Sequence, residues 1–165
     1  MPLLKSDFKF KRLTEITPEF CKKNKIKALA LDVDNTMSTH HGQEPLKGLD
    51  AWIGRMKHGG IKLVIMSNAF DKRVRPFAEK IGLSYTGTSM KPLPFSYIFT
   101  ARKLGVKRRN MAIVGDQYFT DILGGKFSGV RTIMVELIAA DKFKHRRAFE
   151  RRFVNKQAKR KERGK

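Results

Sequence analysis

Residues Ile26 to Val33 (IKALALDV) form a β-branched and apolar run that stops at the turn-forming cluster Asp34-Asn35-Thr36. A strand that is apolar on both faces must be covered twice, which is the condition of a parallel sheet flanked by helices. The pattern recurs: Ile61 to Met66 (IKLVIM) stops at Ser67-Asn68, Leu83 to Thr86 is a short candidate, Asn110 to Val114 (NMAIV) meets Gly115-Asp116, and Val130 to Val135 is the last. Helical spacing fills the intervals. It runs over Pro45 to Lys57, where Leu46, Leu49, Trp52, Ile53 and Met56 share one face and Trp52 packs in the core. It runs again over Asp71 to Ile81 with Gly82 as a left-handed cap, over Pro94 to Leu104, and over Thr120 to Phe127. The alternation predicts a doubly wound α/β domain with a parallel sheet and the Ile26 strand at its centre.

In an open parallel sheet ligands bind at the carboxyl ends of the strands, where the strand order reverses. Those ends carry the reactive residues here. The first strand delivers Asp32 and Asp34 with Asn35 and Thr36, the second delivers Ser67 and Asn68, and the strand over residues 110–114 delivers Asp116, with Asp121 in the following turn. Lys91 lies in the loop beyond the short strand. Two carboxylates one residue apart, joined by Asp116, make an all-oxygen site suited to Mg²⁺. With that ion and the Lys91 ammonium neutralising a phosphate, an anionic Asp32 can attack phosphorus while the Ser67 hydroxyl and backbone amides hold the phosphoryl oxygens.

The run Asp32-Val33-Asp34-Asn35-Thr36 resembles the first motif (DxDxT) of the haloacid dehalogenase-like (HAD) phosphatases. Ser67, Lys91-Pro92 and Gly115-Asp116-Gln117-Tyr118-Phe119-Thr120-Asp121 are similar to its second, third and fourth motifs, in order. More narrowly the chain resembles the small YqeG-type, subclass IIIA group and its mitochondrial phosphatidylglycerophosphatase relatives, through Leu13-Thr14-Glu15-Ile16-Thr17-Pro18, Ser67-Asn68 and Lys91-Pro92 together with the GDQ and TD pairs. The resemblance covers about residues 13 to 150. It implies Asp32 as nucleophile, Asp34 as general acid and base, and Ser67 and Lys91 as phosphate ligands with Asn68 beside them. It implies Asp32, Asp116 and the Asp34 backbone carbonyl as metal ligands, Thr36 in support, and Asp121 orienting Lys91 or a metal-bound water. The expected substrate is a phosphomonoester, a lipid phosphate of the phosphatidylglycerophosphate kind first. A phosphoprotein or a nucleic-acid-linked phosphate stands second, and a nonenzymatic RNA- or ribosome-binding module third.

At 165 residues the chain has room for one core. The stretches between Thr36 and Pro45 and between Tyr85 and Pro94 are too short for a cap domain, so the site is expected to lie open to a large or surface-presented phosphorylated substrate. No apolar run is long enough to span a bilayer, and the lone Cys21, read as an inert thiol, excludes an internal disulfide, so the expected place is the cytoplasm, at most peripheral to a membrane. The net charge of +21 gathers at the ends: residues 142–165 hold twelve Lys and Arg against two Glu, and residues 1–27 hold eight against three acids. Three parts are expected: a basic segment 1–27 packed on the core, a catalytic domain 28–140, and a basic helix and flexible tail 141–165 able to meet anionic lipid or RNA. His40 and His41 are read as exposed loop residues.

Overall fold

A computed structural model describes residues 5–38 and 43–136. Six parallel strands form one sheet in the order β1-β6-β5-β2-β3-β4: β1 Phe8–Phe10, β2 Ala28–Leu31, β3 Lys62–Met66, β4 Tyr85–Thr86, β5 Met111–Gly115 and β6 Arg131–Val135. The Ile26 strand is central as expected, pairing β3 on one side and β5 on the other, with Ala30 opposite Val64 and Ile113. Helices α1 (Pro18–Lys23), α2 (Leu49–His58), α3 (Asp71–Ile81), α4 (Pro94–Lys103) and α5 (Gly124–Ser128) cover it.

Strand alternation assigns the two faces. Leu29, Leu31, Leu63, Ile65 and Val114 join Trp52, Met56 and Phe77 from α2 and α3 in the larger core, along with Leu13, Ile16 and Cys21. Ala28, Ala30, Val64, Met66 and Ile113 join Tyr97 and Ala101 of α4 in the smaller one. The small alanines of β2 let α4 lie close to the sheet, and Gly125 permits the same for α5, because a methyl group there would press on the side chains of Thr132 and Ile113. Trp52 is fully buried, and its indole N–H donates to the Ile16 carbonyl at 2.7 Å, so the core tryptophan also ties the segment before β2 to the domain.

Two elements differ most from the sequence reading. The helix expected from Pro45 starts at Leu49, because Gly48 sits at φ +81°, Pro45 bridges Ser38, and the Leu46 N–H bonds the Met37 carbonyl. Long-range pairing of that stretch with the loop after β2 overrides its helical spacing. The other difference is β1, an edge strand not foreseen, in which Phe8 and Phe10 each meet the Phe20 ring edge-on at 5.0 and 4.9 Å. The helical stretch after β5 opens as a π-helical turn over Tyr118–Leu123 before α5. Among the described residues no helix is long and apolar enough to cross a membrane. The expected tail over residues 141–165 and the pair His40 and His41 lie outside the described residues.

Candidate active site

β2 and β5 are neighbours from which the chain proceeds in opposite directions across the sheet, so the crevice at their carboxyl ends is the point where the strand order reverses. Asp32 follows β2 and Asp116 follows β5. Both are buried, as is Asp121 in the π-helical turn, and carboxylate oxygens of all three lie within 4.8 Å of one another. The Lys91 Nζ donates to Asp32 Oδ1 and to Asp121 Oδ1, each at 2.7 Å. Only 2% of the lysine side chain is exposed, so this ammonium has left water and depends on those two carboxylates.

The electrostatics follow from this burial. Desolvation alone would lower the Lys91 pKa, yet Asp121 and Asp32 outweigh it and push it above its ordinary value, so the side chain stays charged. Burial pushes the Asp32 carboxyl up to about 7 against the opposing pull of Lys91, with Asp121 adding to the rise. Tyr97, whose hydroxyl donates to the Thr120 carbonyl at 2.6 Å, has its pKa raised by burial first and Asp121 second. Two of these carboxylates share the one Lys91 ammonium, and Asp32 Oδ2 has no hydrogen-bond partner among the described residues. A divalent, oxygen-seeking cation fits this donor set in both charge and chemistry.

Local structure holds each group in place. Asp121 also accepts from the Gln117 N–H at 3.2 Å, and a methyl group at Gly115 would overlap the Asp121 carboxylate, so β5 must end in glycine for that carboxylate to reach Lys91. On the other side, Asn68 grips the Lys91 backbone at both ends: its Oδ1 accepts from the Lys91 N–H at 2.7 Å and its Nδ2 donates to the Lys91 carbonyl at 2.9 Å. The Asn68 carboxamide is thereby engaged in setting the lysine loop. Ser67 is buried; its hydroxyl accepts from the Ala69 N–H at 3.1 Å and retains its own proton to give, while its carbonyl receives the Ser89 N–H at 2.9 Å and the Ser89 hydroxyl.

The chain turns sharply after Asp32, with the amides of Thr36, Met37 and Ser38 all directed to the Val33 carbonyl and Asn35 at φ +58°. The turn leaves Asp34 outside the buried cluster and ion-paired with Arg73. Thr36 is fully buried, with a hydroxyl that finds no hydrogen-bond partner among the described residues. Arg73 is the residue that sequence reading passed over. The signal was available: a cation in the first turn of a helix opposes the helix dipole, and α3 begins at the carboxyl end of β3, so Arg73 calls for an anion on the site's face.

Residues 18–129 match the family of haloacid dehalogenase-like hydrolases. The chain is 34% identical over 148 residues to a protein of Bacillus subtilis (strain 168) named probable phosphatase YqeG, covering 88% of this chain and 86% of that one. Its fold is similar to that of an uncharacterized protein from Listeria monocytogenes serotype 4b (TM-score 0.59, 17% identity, 71% and 84% of the two chains). It is also similar to a cobalt-bound deoxy-D-mannose-octulosonate 8-phosphate phosphatase from Haemophilus influenzae (TM-score 0.52, 16% identity, 69% and 70%). Strand order, buried carboxylates and these likenesses agree, and the chain belongs to the haloacid dehalogenase-like hydrolases as a phosphohydrolase.

Proposed function

We propose that the protein hydrolyses a phosphomonoester in two steps through a phosphoryl group carried on Asp32. The observation that carries this reading is the buried Asp32–Lys91–Asp121 array at the point where the strand order reverses. An Asp32 oxygen attacks phosphorus, the ester P–O bond breaks, and the departing alkoxide takes a proton from Asp34. Water then attacks the phosphorus of the acyl phosphate, Asp34 receives the water's proton, and Asp32 is released with inorganic phosphate. To serve in this way the Asp34 carboxyl must leave Arg73 and turn to the ester oxygen.

Lys91 and the Ser67 hydroxyl hold phosphoryl oxygens, and Asn68 keeps Lys91 in position. Asp32, Asp116 and the Asp34 carbonyl would hold Mg²⁺, which when bound supplies a compact positive charge to the phosphoryl group. A lipid phosphate of the phosphatidylglycerophosphate kind is the first substrate to test, on the strength of the YqeG-type resemblance. A phosphoprotein or a nucleic-acid-linked phosphate is the second. A reducing, cytoplasmic compartment goes with a chain whose single cysteine is buried and whose thiol burial pushes up to about 12.

The test is turnover of p-nitrophenyl phosphate with and without Mg²⁺, followed by a panel of lipid, protein and polynucleotide phosphates. Asp32→Asn is nearly isosteric and cannot attack phosphorus, so it should fold normally and lose turnover. Single-turnover phosphate release by that variant would remove Asp32 from the role.

A further inference from the structure

The outer side of α4 is unused by the site. Tyr97, Thr100 and Ala101 bury its inner side, while Phe95 and Phe99, each 61% exposed, and Arg102 fall at i, i+4 and i+7 along one line. At the amino end of the sheet this line runs into residues 102–109 (RKLGVKRR), five cations with no acid between them. None of the five has an acidic partner among the described residues. A groove of about 410 Å³, floored by Ile98, Ala101 and Val106, lies there with Arg102, Lys107 and Arg108 at its sides. It continues through Lys107 and Arg108 into a second of about 290 Å³ that adds Arg109.

We propose that this line and groove bind single-stranded RNA, with bases stacked on Phe95 and Phe99 and backbone phosphates paired to the groove cations. Two flat rings one turn apart, about 6 Å along the helix axis, offer stacking surfaces to successive bases of an extended strand. The unpaired cations beyond them supply the charge complement of a phosphate chain. A bilayer is the poorer match, because its headgroups form a plane whereas the cations here line a concavity at one end of a linear aromatic track. Ring stacking and phosphate pairing do not read base edges, so binding is expected without sequence preference. The proposal is independent of turnover and stands or falls separately from the phosphatase mechanism.

The full chain is titrated against a fluorescent oligouridylate by anisotropy over a series of salt concentrations. Phe95→Ser/Phe99→Ser should bind about tenfold more weakly or worse. Lys107→Gln/Arg109→Gln, which spares the Arg108 bond to the Ser128 carbonyl, should make the slope of log affinity against log salt shallower by about 1.4, at about 0.7 per phosphate contact. Circular dichroism checks that both variants fold, and hydrogen exchange on the wild-type chain should show RNA-dependent protection over residues 95–109. Equal RNA affinity in wild type and variants, or no protection of α4, overturns the proposal. So does loss of partition onto anionic vesicles, or of self-association, in the phenylalanine variant with RNA binding intact.

Discussion

Lys91 is kept charged by Asp121 and Asp32 and aimed by Asn68, and the sequence made these surroundings unequally legible. Asp32, Asp116 and Asp121 could be placed together because each follows a strand that the apolar runs had already located. Asn68 could not be assigned its bonds in advance, since they depend on how the loop after β3 meets the loop after β4, and Arg73 could be marked from its place in the first turn of α3 as calling for an anion but not matched to Asp34 until α3 stood against that turn. Asn68→Asp tests the positioning role. The carboxylate still accepts from the Lys91 N–H but faces the Lys91 carbonyl without a proton to give, so the loop should shift. Displacements near 1 Å can cost about 10²-fold in rate, and a fall of that order in kcat with the melting temperature little changed is expected. A variant within twofold of wild type would leave Asn68 no part in holding Lys91. Gly115→Ala should act from the opposite side, since the added methyl displaces the Asp121 carboxylate. Overpacking of this kind costs about 1–3 kcal/mol, and thermal melting together with turnover should show both losses at once.

At the scale of elements, apolar runs located the buried strands and helical spacing located their covers, because both patterns follow from which faces must avoid water. What the patterns could not show were pairings made between stretches distant in sequence. β1 is three residues of half-exposed edge, too short to announce itself by periodicity, and it is fixed by Asp7. That carboxylate accepts from the Thr132 N–H at 2.8 Å and the Thr132 hydroxyl at 3.0 Å, and it pairs with Lys126 of α5, clamping the edge strand to β6. Burial alone would raise its pKa, but the bonds from Lys126 and Thr132 outweigh this and hold it below the ordinary value. A carboxyl whose folded pKa is depressed contributes stability that is present above its unfolded pKa and lost as the pH falls through the folded one. Asp7→Asn should therefore lower stability near neutrality by about 1–3 kcal/mol, the usual cost of leaving a charged partner unmatched, and flatten the fall in melting temperature below about pH 4. Parallel acid limbs for variant and wild type would show that Asp7 does not set the acid stability of this edge.

Over the whole molecule, the parallel arrangement separates charge along the strand axis. All six strands point their carboxyl ends to the side of the sheet that carries Asp32, Asp116 and Asp121, while helix ends rich in lysine and arginine, such as Arg55, Lys57, Arg102 and Lys103, gather at the opposite end. Three buried carboxylates with oxygens within 4.8 Å of one another repel when ionised, and that repulsion is absent in the unfolded chain. Metal affinity should therefore appear as stability of the entire domain, whether or not a substrate is known. A divalent ion present at a hundred times its dissociation constant adds about 2.7 kcal/mol, and for a chain of this size that corresponds to roughly 5–10 °C in melting temperature. EDTA-washed protein should melt at the lower temperature, and Mg²⁺ should raise it in a saturable way. Asp116→Asn separates this effect from general ion binding: with one of the three clustered carboxylates removed, the variant should gain less than half as much melting temperature from Mg²⁺ as wild type does. The same gain in both proteins would place the ion away from the three aspartates.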